Sequence, residues 1–262
     1  MNICKRQDDF SLKTSIIAVV LNNQSYIEDC INSILNQSYK NVELIIIDGG
    51  STDGTIDIIR KYEKSISTWI SEPDLGIYDA MNKGIQIASG DVIGFLNADD
   101  VYYDSNVLEN IASVMNNSNT DACYSDLVYV DNNNLNKIVR YWRSYEFQAG
   151  FFKKGWVPAH PTFFVRKKIY DQYGTFDLSY KLAADYELMA RFLEYHKITV
   201  KYIPRVSVKM RVGGATNKSL SNIVKQNLEI FKACKKNNIK ILYPLFLTNK
   251  FINRLHQFYL KP

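Results

Sequence analysis

No apolar run in this chain approaches the roughly 18 residues that a membrane-spanning helix needs. The longest are Ile16 to Leu21 and Ile241 to Leu247, the second broken by Pro244, so no transmembrane span is expected. Cysteine is sparse: Cys4, Cys30, Cys123 and Cys234 form no close pair, and no basic segment followed by an apolar stretch opens the chain as a secretory leader would. These absences predict a reduced, cytoplasmic protein. A basic body is also missing. The net charge is +5, yet residues 1–229 hold 25 basic and 27 acidic side chains, because Lys232, Lys235, Lys236, Lys240, Lys250, Arg254 and Lys261 follow with no acid among them. The positive excess belongs to the tail, which argues against a nucleic-acid-binding face on the body.

Several common motifs are absent as well. A dinucleotide fold needs Gly-x-Gly-x-x-Gly after its first strand, but that turn reads Leu21-Asn22-Asn23-Gln24-Ser25, and the later set Gly49, Gly50, Gly54 has Ser51 at the middle glycine. A calcium loop beginning at Asp48 would need a bidentate Glu at its twelfth position, where Ile59 stands. There is no P-loop Gly-Lys-Ser/Thr.

What is present is ordinary globular material, 46% hydrophobic and 23% charged over 262 residues, enough for one large domain or two coupled halves. Ser15–Leu21 and Val42–Ile47 are β-branched and nearly continuous, as strands covered on both faces tend to be. Between them Ile27, Cys30, Ile31, Ile34 and Leu35 recur at helical spacing, predicting a helix from about Ser25 to Gln37 with Ser25 as N-cap and Glu28 three residues on. The rhythm repeats with a helix over Thr55–Tyr62, a strand over Ser67–Ile70, a helix over Ile77–Ala88 and a strand over Val92–Leu96. Such alternation predicts an α/β fold with a mostly parallel, Rossmann-like, doubly wound sheet.

Ligands of such sheets bind outside the carboxyl ends of the strands. Here those ends are acidic: Asp48-Gly49-Gly50-Ser51-Thr52-Asp53-Gly54, Glu72-Pro73-Asp74 and Asn97-Ala98-Asp99-Asp100. Adjacent carboxylates at a strand end need a partner, since two uncompensated anions in a low-dielectric site would push one pKa up until it neutralised. A divalent cation with hard oxygen ligands, Mg²⁺ or Mn²⁺, shared with a diphosphate, is one answer. The other is structural: Asp99 and Asp100 capping a helix that starts near Ser105, with the remaining acids serving as turn residues.

The run IIIDGGSTDGT at 45–55, SEPDLGIYDAMNKGIQIASGDVIGFLNADD at 71–100 and AADYELMARF at 183–192, in this order and spacing, resembles the family-2 glycosyltransferases, inverting enzymes of the GT-A fold, and most of all the bacterial members that build O-antigen, capsule or other surface polysaccharides. The likeness spans about residues 14–215. It implies a GT-A domain over 1–217, with a nucleotide-sugar-binding half at about 14–110 and an acceptor-binding half at about 111–217, followed by a helical tail at 218–262. It further implies a metal-dependent inverting transfer from a UDP-hexose or UDP-N-acetylhexosamine to a lipid-linked saccharide. The oligomeric state stays open between monomer and homodimer.

For single residues, the resemblance makes Asp48 the acid that reads uracil, a role suited to a carboxylate accepting an imide N–H. It places Asn22, Asp53, Asp74, Asn82, Asn97, Ala98 and Asp99 at the nucleotide-sugar. Asp99 and Asp100 are implied to hold Mn²⁺ or Mg²⁺, with Asn97 standing where the family has a first Asp, which adds no negative charge. Leu21 precedes Asn22 where many members carry an aromatic. Asp185 matches the catalytic base; its other reading is the N-cap of the helix carrying Leu188, Met189, Phe192 and Leu193. Trp156 (with Trp142), His160 and Arg211 are candidates for acceptor or diphosphate contacts, Arg211 on a mobile loop with Gly213 and Gly214 that forks onto phosphate oxygens. Against these stand an aromatic core, a structural histidine and a glycine-rich turn before a helix near Ser219.

The other enzymatic reading of the acidic site, a nucleotidyltransferase, lacks a glycine- and Arg/Lys-rich triphosphate loop at Leu21–Ser25. A non-catalytic nucleotide-sugar-binding module is separated from a transferase by whether Asp185→Asn abolishes turnover. In the tail, Phe251, Ile252, Leu255, Phe258 and Tyr259 share one helical face and Lys250, Asn253, Arg254, Gln257 and Lys261 the other. This predicts either a helix lying on an anionic membrane at its cytoplasmic face or one packed on protein.

Overall fold

The computed structural model describes residues 12–213, 220–259 and 262; Cys4, Gly214, Ser219 and Lys261 lie outside them. Strands β1 (Thr14–Val20), β2 (Val42–Asp48), β3 (Thr68–Ser71) and β4 (Val92–Asn97) pair in parallel in the order β3-β2-β1-β4. The helices between them are α1 (Ile27–Leu35), α2 (Thr55–Lys61) and α3 (Ile77–Ile87). The alternating pattern thus gives the expected elements, with ends moved by one or two residues.

Two caps differ from expectation. Helix α1 begins at Ile27 after Tyr26 with no side-chain cap, because Glu28 reaches across to accept the Tyr62 hydroxyl at 3.0 Å instead of turning back to Ser25. Helix α4 (Val107–Met115) is not capped by Asp99 or Asp100. Its entry is fixed by Asp104 accepting the Asn106 N–H at 2.8 Å and by Gln37 accepting the Leu108 N–H at 3.0 Å.

Alternate strand residues feed two cores, as expected for strands sandwiched between helices. Ile17, Val19, Ile45, Ile47, Ile93 and Phe95 bury on one face with Ala80, Met81 and Ile85 of α3. Ile16, Ala18, Leu44, Ile46, Val92 and Leu96 bury on the other with Ile27, Cys30 and Ile31 of α1 and Ile111 of α4. At about 25 cal/mol per Å² of apolar surface withdrawn from water, these two layers are the main favourable term that holds strands β1 to β4 and their helices together.

Beyond β4 the sheet becomes mixed. The short β8 (Phe164–Arg166) runs antiparallel to both β4 and β6 (Ala122–Asp131), while β9 (Val200–Arg211) is parallel to β6 and carries β5 (Val101–Tyr102) on its outer edge. Strand β7 (Asn134–Trp142) forms a hairpin on β6. Helix α5 (Lys167–Tyr173) leads to α6 (Ala184–Ala190), which continues as one π-helical turn over Arg191–Tyr195. The last helices are α7 (Leu220–Lys236) and α8 (Tyr243–Tyr259). Ile230, Ala233, Cys234 and Phe246 from this final pair join the same buried cluster as Trp156, Tyr186 and Phe95. No described helix is long and apolar enough to cross a membrane.

Candidate active site

The carboxyl ends of β1, β2 and β3 are stitched into one rim. Asn22 takes a left-handed φ of 49°, a conformation that Asn tolerates better than most residues, and its amide oxygen accepts the Thr52 N–H at 2.8 Å while its own N–H donates to the Ser51 hydroxyl at 2.7 Å. Asp53 is exposed and accepts the N–H groups of Gln24 at 3.1 Å and Thr55 at 2.9 Å; hydrogen bonds from Thr55 hold its pKa below the usual carboxylate range. Asp48 is fully buried. Its two oxygens accept the N–H groups of Gly50 and Ser51 at 3.1 and 2.9 Å, the Ser71 hydroxyl at 2.6 Å and the Ser51 hydroxyl. Asp74 lies against Gly49, where a Cβ would sit 2.5 Å from its Oδ2, and accepts the Gly76 N–H at 2.8 Å. The structure therefore gathers Asn22, Asp48, Asp53 and Asp74. Asn82 does not join them: its side chain makes paired 2.9 Å hydrogen bonds with the backbone of Phe176, bracing the loop that leads to α6.

At the end of β4, Ala98 is buried, Asp99 half-buried and Asp100 fully buried. Asn97 donates to Asp100 Oδ2 at 3.2 Å, but Asp100 Oδ1 and Asn97 Oδ1 have no hydrogen-bond partner. Burial, and then the neighbouring charge of Asp99, push the Asp100 carboxyl well above the usual carboxylate range, against opposing contributions from Asn97 and Arg211. Among the described residues no group of three or more His, Cys, Asp and Glu side chains is placed so that it could hold a metal ion by itself. The donor set suits a magnesium-like ion that takes one or two carboxylates and completes its sphere from phosphate and water, and an orphaned buried carboxylate oxygen is the group such an ion would satisfy.

Arg211 departs from the expected mobile loop. It is the last residue of β9 and is buried; its guanidinium donates to Asp29 at 2.5 Å, to the Asp99 carbonyl at 2.7 Å and to the Asn132 carbonyl at 3.2 Å, and lies 4.3 Å over the Tyr26 ring. All three nitrogens are committed to the protein, so the side chain is a rivet joining β9, α1 and the β4 loop. These bonds use three of its five N–H donors.

The acceptor-side candidates share one cavity of about 280 Å³, lined among others by Trp142, Trp156, His160 and Asp185. Asp185 is the second residue of α6, so it is not the N-cap; Ala183 holds that position, and the Glu229 carboxylate from α7 accepts the N–H groups of Lys181, Leu182 and Ala183 at 3.0, 2.8 and 2.9 Å. Asp185 Oδ1 accepts the Tyr78 hydroxyl at 3.0 Å. Burial and the Asp185 charge raise the Tyr78 pKa well above its ordinary value, which keeps that hydroxyl protonated as the donor. His160 stacks 5.5 Å from Phe95, and neither ring nitrogen has a partner; burial lowers its pKa although Asp185 opposes this, which favours the neutral imidazole. Trp156 is 6% exposed, packs on Tyr145 and Phe151 at 5.4 and 5.1 Å, and leaves Nε1 without a partner. Tyr78, Glu229, Arg140 and Lys250 were not singled out from the sequence: Tyr78 lies inside the 71–100 motif but its bond to Asp185 spans 107 residues, and the other three carry no motif signal.

A mostly parallel sheet with acids at its strand ends, followed by a mixed half carrying a carboxylate in a pocket, is matched by known proteins. The family model described as glycosyl transferase family 2 covers residues 15–174. The chain belongs to the family-2 glycosyltransferases. A PGL/p-HBAD biosynthesis glycosyltransferase of Mycobacterium bovis is 30% identical over 207 residues, 78% of each chain. An uncharacterized glycosyltransferase of Rickettsia typhi is 29% identical over 83% of this chain and 70% of its own. Among solved structures, S. aureus TarS 1–349 in complex with UDP-GlcNAc aligns with a TM-score of 0.65 at 16% identity, over 92% of this chain and 73% of that one. The mannosyltransferase PcManGT from Pyrobaculum calidifontis, in complex with GDP-Man and Mn²⁺, aligns with a TM-score of 0.63 at 17% identity, over 94% and 70%. Against TarS not truncated at residue 349, the chain spans 43% of the length. These likenesses establish the GT-A fold. In this glycosyltransferase the acidic rim and the β4 carboxylates lie on the half that the family model covers, whereas Asp185, Glu229 and Lys250 lie beyond it.

Proposed function

We propose that this glycosyltransferase moves a sugar from a nucleoside-diphosphate sugar, a UDP-hexose or UDP-N-acetylhexosamine, to a hydroxyl of a lipid-linked saccharide with inversion, in the assembly of a bacterial surface polysaccharide of the O-antigen or capsule kind. Residues at about 14–110 form the donor half and 111–217 the acceptor half, with 218–262 as a helical extension. The observation that carries the reading is the Asp185 carboxylate, anchored through one oxygen by Tyr78 and lining the cavity. A sugar hydroxyl is a poor nucleophile at neutral pH, and a positioned carboxylate that accepts its proton in the transition state contributes about 10²–10⁴-fold.

Asp99 and Asp100 are the residues that would hold Mn²⁺ or Mg²⁺, which when bound supplies positive charge to a departing diphosphate. Asn22, Asp53 and Asp74 border the nucleoside, and the buried Asp48 keeps the β2 loop in shape for it. Support for work at the cytoplasmic face of a membrane comes from α8, whose outward residues Phe251, Leu255, Phe258 and Tyr259 are exposed. Of the basic side chains expected to meet an anionic leaflet, Lys250 and Arg254 line the cavity, Arg254 remaining exposed, and Lys261 lies outside the described residues.

The test is a panel of nucleotide-sugars incubated with pure protein and Mn²⁺, following nucleoside diphosphate release. One UDP-sugar should be hydrolysed slowly, the reaction should stop on chelation and resume with added Mn²⁺. Full-rate turnover after chelation removes the cation from the reading, and UDP binding without turnover of any donor removes the transferase.

A further inference from the structure

Charge at the end of β4 is arranged against the usual pairing. Asp100 is fully buried and its Oδ1 has no hydrogen-bond partner, yet a buried arginine, Arg211, stands close enough for its charge to act on that carboxyl. An arginine beside a carboxylate ordinarily forks onto it, because the planar guanidinium and the carboxylate match in geometry. Arg211 does not. Its guanidinium donates to the Asp99 carbonyl, the Asn132 carbonyl and the Asp29 carboxylate, and none of these bonds goes to the Asp100 carboxylate.

What turns the guanidinium away comes from the start of α1. Tyr26 and Asp29 are three residues apart and so share one face there, where the helix dipole favours a carboxylate. The guanidinium lies 4.3 Å over the Tyr26 ring, and Asp29 Oδ2 accepts from Nη2 at 2.5 Å. The Arg211 side chain is 4% exposed and that of Asp29 51%, so the pair runs from the interior to the surface with the anion outermost. Two of the five N–H donors remain beyond the three bonds described, which is what a fork onto a second carboxylate takes. Removing Asp29 leaves a buried arginine charge uncompensated, with an unpartnered Asp100 oxygen within reach of its field.

We propose that Asp29 is a positioning residue for cation binding: it holds the Arg211 guanidinium against α1, so that an internal arginine does not neutralise Asp100 and that carboxylate stays available to Mn²⁺ or Mg²⁺. The inference rests on the cation part of the transferase reading and deepens it. The Asp99 carbonyl takes a bond that Asp100 does not, and the same guanidinium thereby fixes the backbone of the loop that carries both acids. In this role Asp29 acts through Arg211 and not by touching the cation.

The experiment titrates UDP calorimetrically into the full chain at a series of fixed Mn²⁺ concentrations and reads the Mn²⁺ concentration that half-maximally tightens UDP binding. In Asp29→Asn that concentration should rise about tenfold or more, as removal of an outer partner of a metal site does, while UDP affinity without Mn²⁺ stays within about twofold. Asp29→Glu keeps the charge for the guanidinium and should stay within about threefold of wild type. Glu28→Gln removes an equal charge from the neighbouring exposed residue and should stay within about twofold, since exposed charges out of contact are screened; this separates the arginine's position from a general loss of negative potential. Asp29→Asn combined with Arg211→Gln should recover most of the Mn²⁺ response, because no guanidinium is left to compete. An Asp29→Asn chain that melts at a lower temperature with an unchanged Mn²⁺ response has lost only a structural ion pair and overturns the inference, as does a double variant no better than the single one. A wild-type chain whose UDP binding ignores Mn²⁺ removes the cation from the transferase reading, and the inference with it.

Discussion

The loops after β1 and β2 close their polar groups on themselves, whereas the cavity beside α6 leaves several of its own open. Asp48 accepts four hydrogen bonds and Asn22 and Asp53 are matched across the rim. In and beside the cavity, Trp156 Nε1, Arg140 Nε, both His160 nitrogens and Asp100 Oδ1 have no partner. A buried polar group without a partner costs on the order of 1–3 kcal/mol, and a ligand that supplies the bond recovers it. The contrast separates a rim whose polar groups are satisfied within the chain from a cavity that leaves several open, and it is at the cavity that the proposed reaction takes place.

The sharpest way to break this contrast is Asp185→Asn, which touches only the open region. It should lower kcat on the order of 10²–10⁴-fold while UDP affinity, measured by calorimetry, stays within about twofold; a parallel loss of both would merge the two regions. A satisfied cluster remote from the cavity gives the opposite signature. At the amino ends of β1 and β2, Glu43 is pushed up by burial, but hydrogen bonds from Ser15, Ser89 and Lys13 more than reverse this, so its pKa falls from 4.5 to about 2. A lowered carboxylate pKa stabilises the fold above the unfolded value and the benefit disappears as pH falls from about 4.5 to about 2. Glu43→Gln should therefore cost about 2 kcal/mol in chemical denaturation at pH 7, progressively less below about pH 4.5, and nothing in KM for the donor.

Two smaller effects sharpen the comparison from the open side. Gly155→Ala forces a left-handed backbone onto a residue with a side chain and presses on α8, and should lower the thermal stability by about 1–2 kcal/mol; limited proteolysis should cut first near α8. Tyr78→Phe removes a single hydrogen bond from Asp185 and should reduce kcat about 3–10-fold with KM for the donor unchanged. An equal fall in donor affinity would show that Tyr78 serves the rim rather than the cavity.

The parts legible in the sequence are those that repeat locally. The β-branched runs at 15–21 and 42–47 and the helical spacing from Ile27 to Leu35 stand within a residue or two of β1, β2 and α1, because burial on both faces leaves little choice of period. The acids were legible as strand-end groups, and the motif likeness marked Asp185. What escaped were contacts across long separations. Tyr78 meets Asp185 from 107 residues away, and Arg211 meets Asp29 from 182. The stretch Arg211-Val212-Gly213 reads as a loose loop locally, and only the arrival of Asp29 and the Asp99 carbonyl makes its arginine a fixed, buried one. For α8 the two faces were readable but not which of them meets the body, since that is decided by partners such as Gly155 and Phe231.

Strand β6 is hydrogen-bonded to β8, which continues into β4, and along its other edge to β9, with a register shift at Ser125 and Asp126. Asp126 pins that irregularity by accepting from Tyr141, from the Ser144 N–H at 2.6 Å and from the Tyr202 hydroxyl at 2.8 Å. Among the described residues one hydrogen-bonded sheet thus runs unbroken from β3 to β5. Bending this sheet would break ladder hydrogen bonds that the loops and helices at its margins do not share, so a chemist seeking to arrest the proposed cycle would do better to wedge those margins than to pry strands apart.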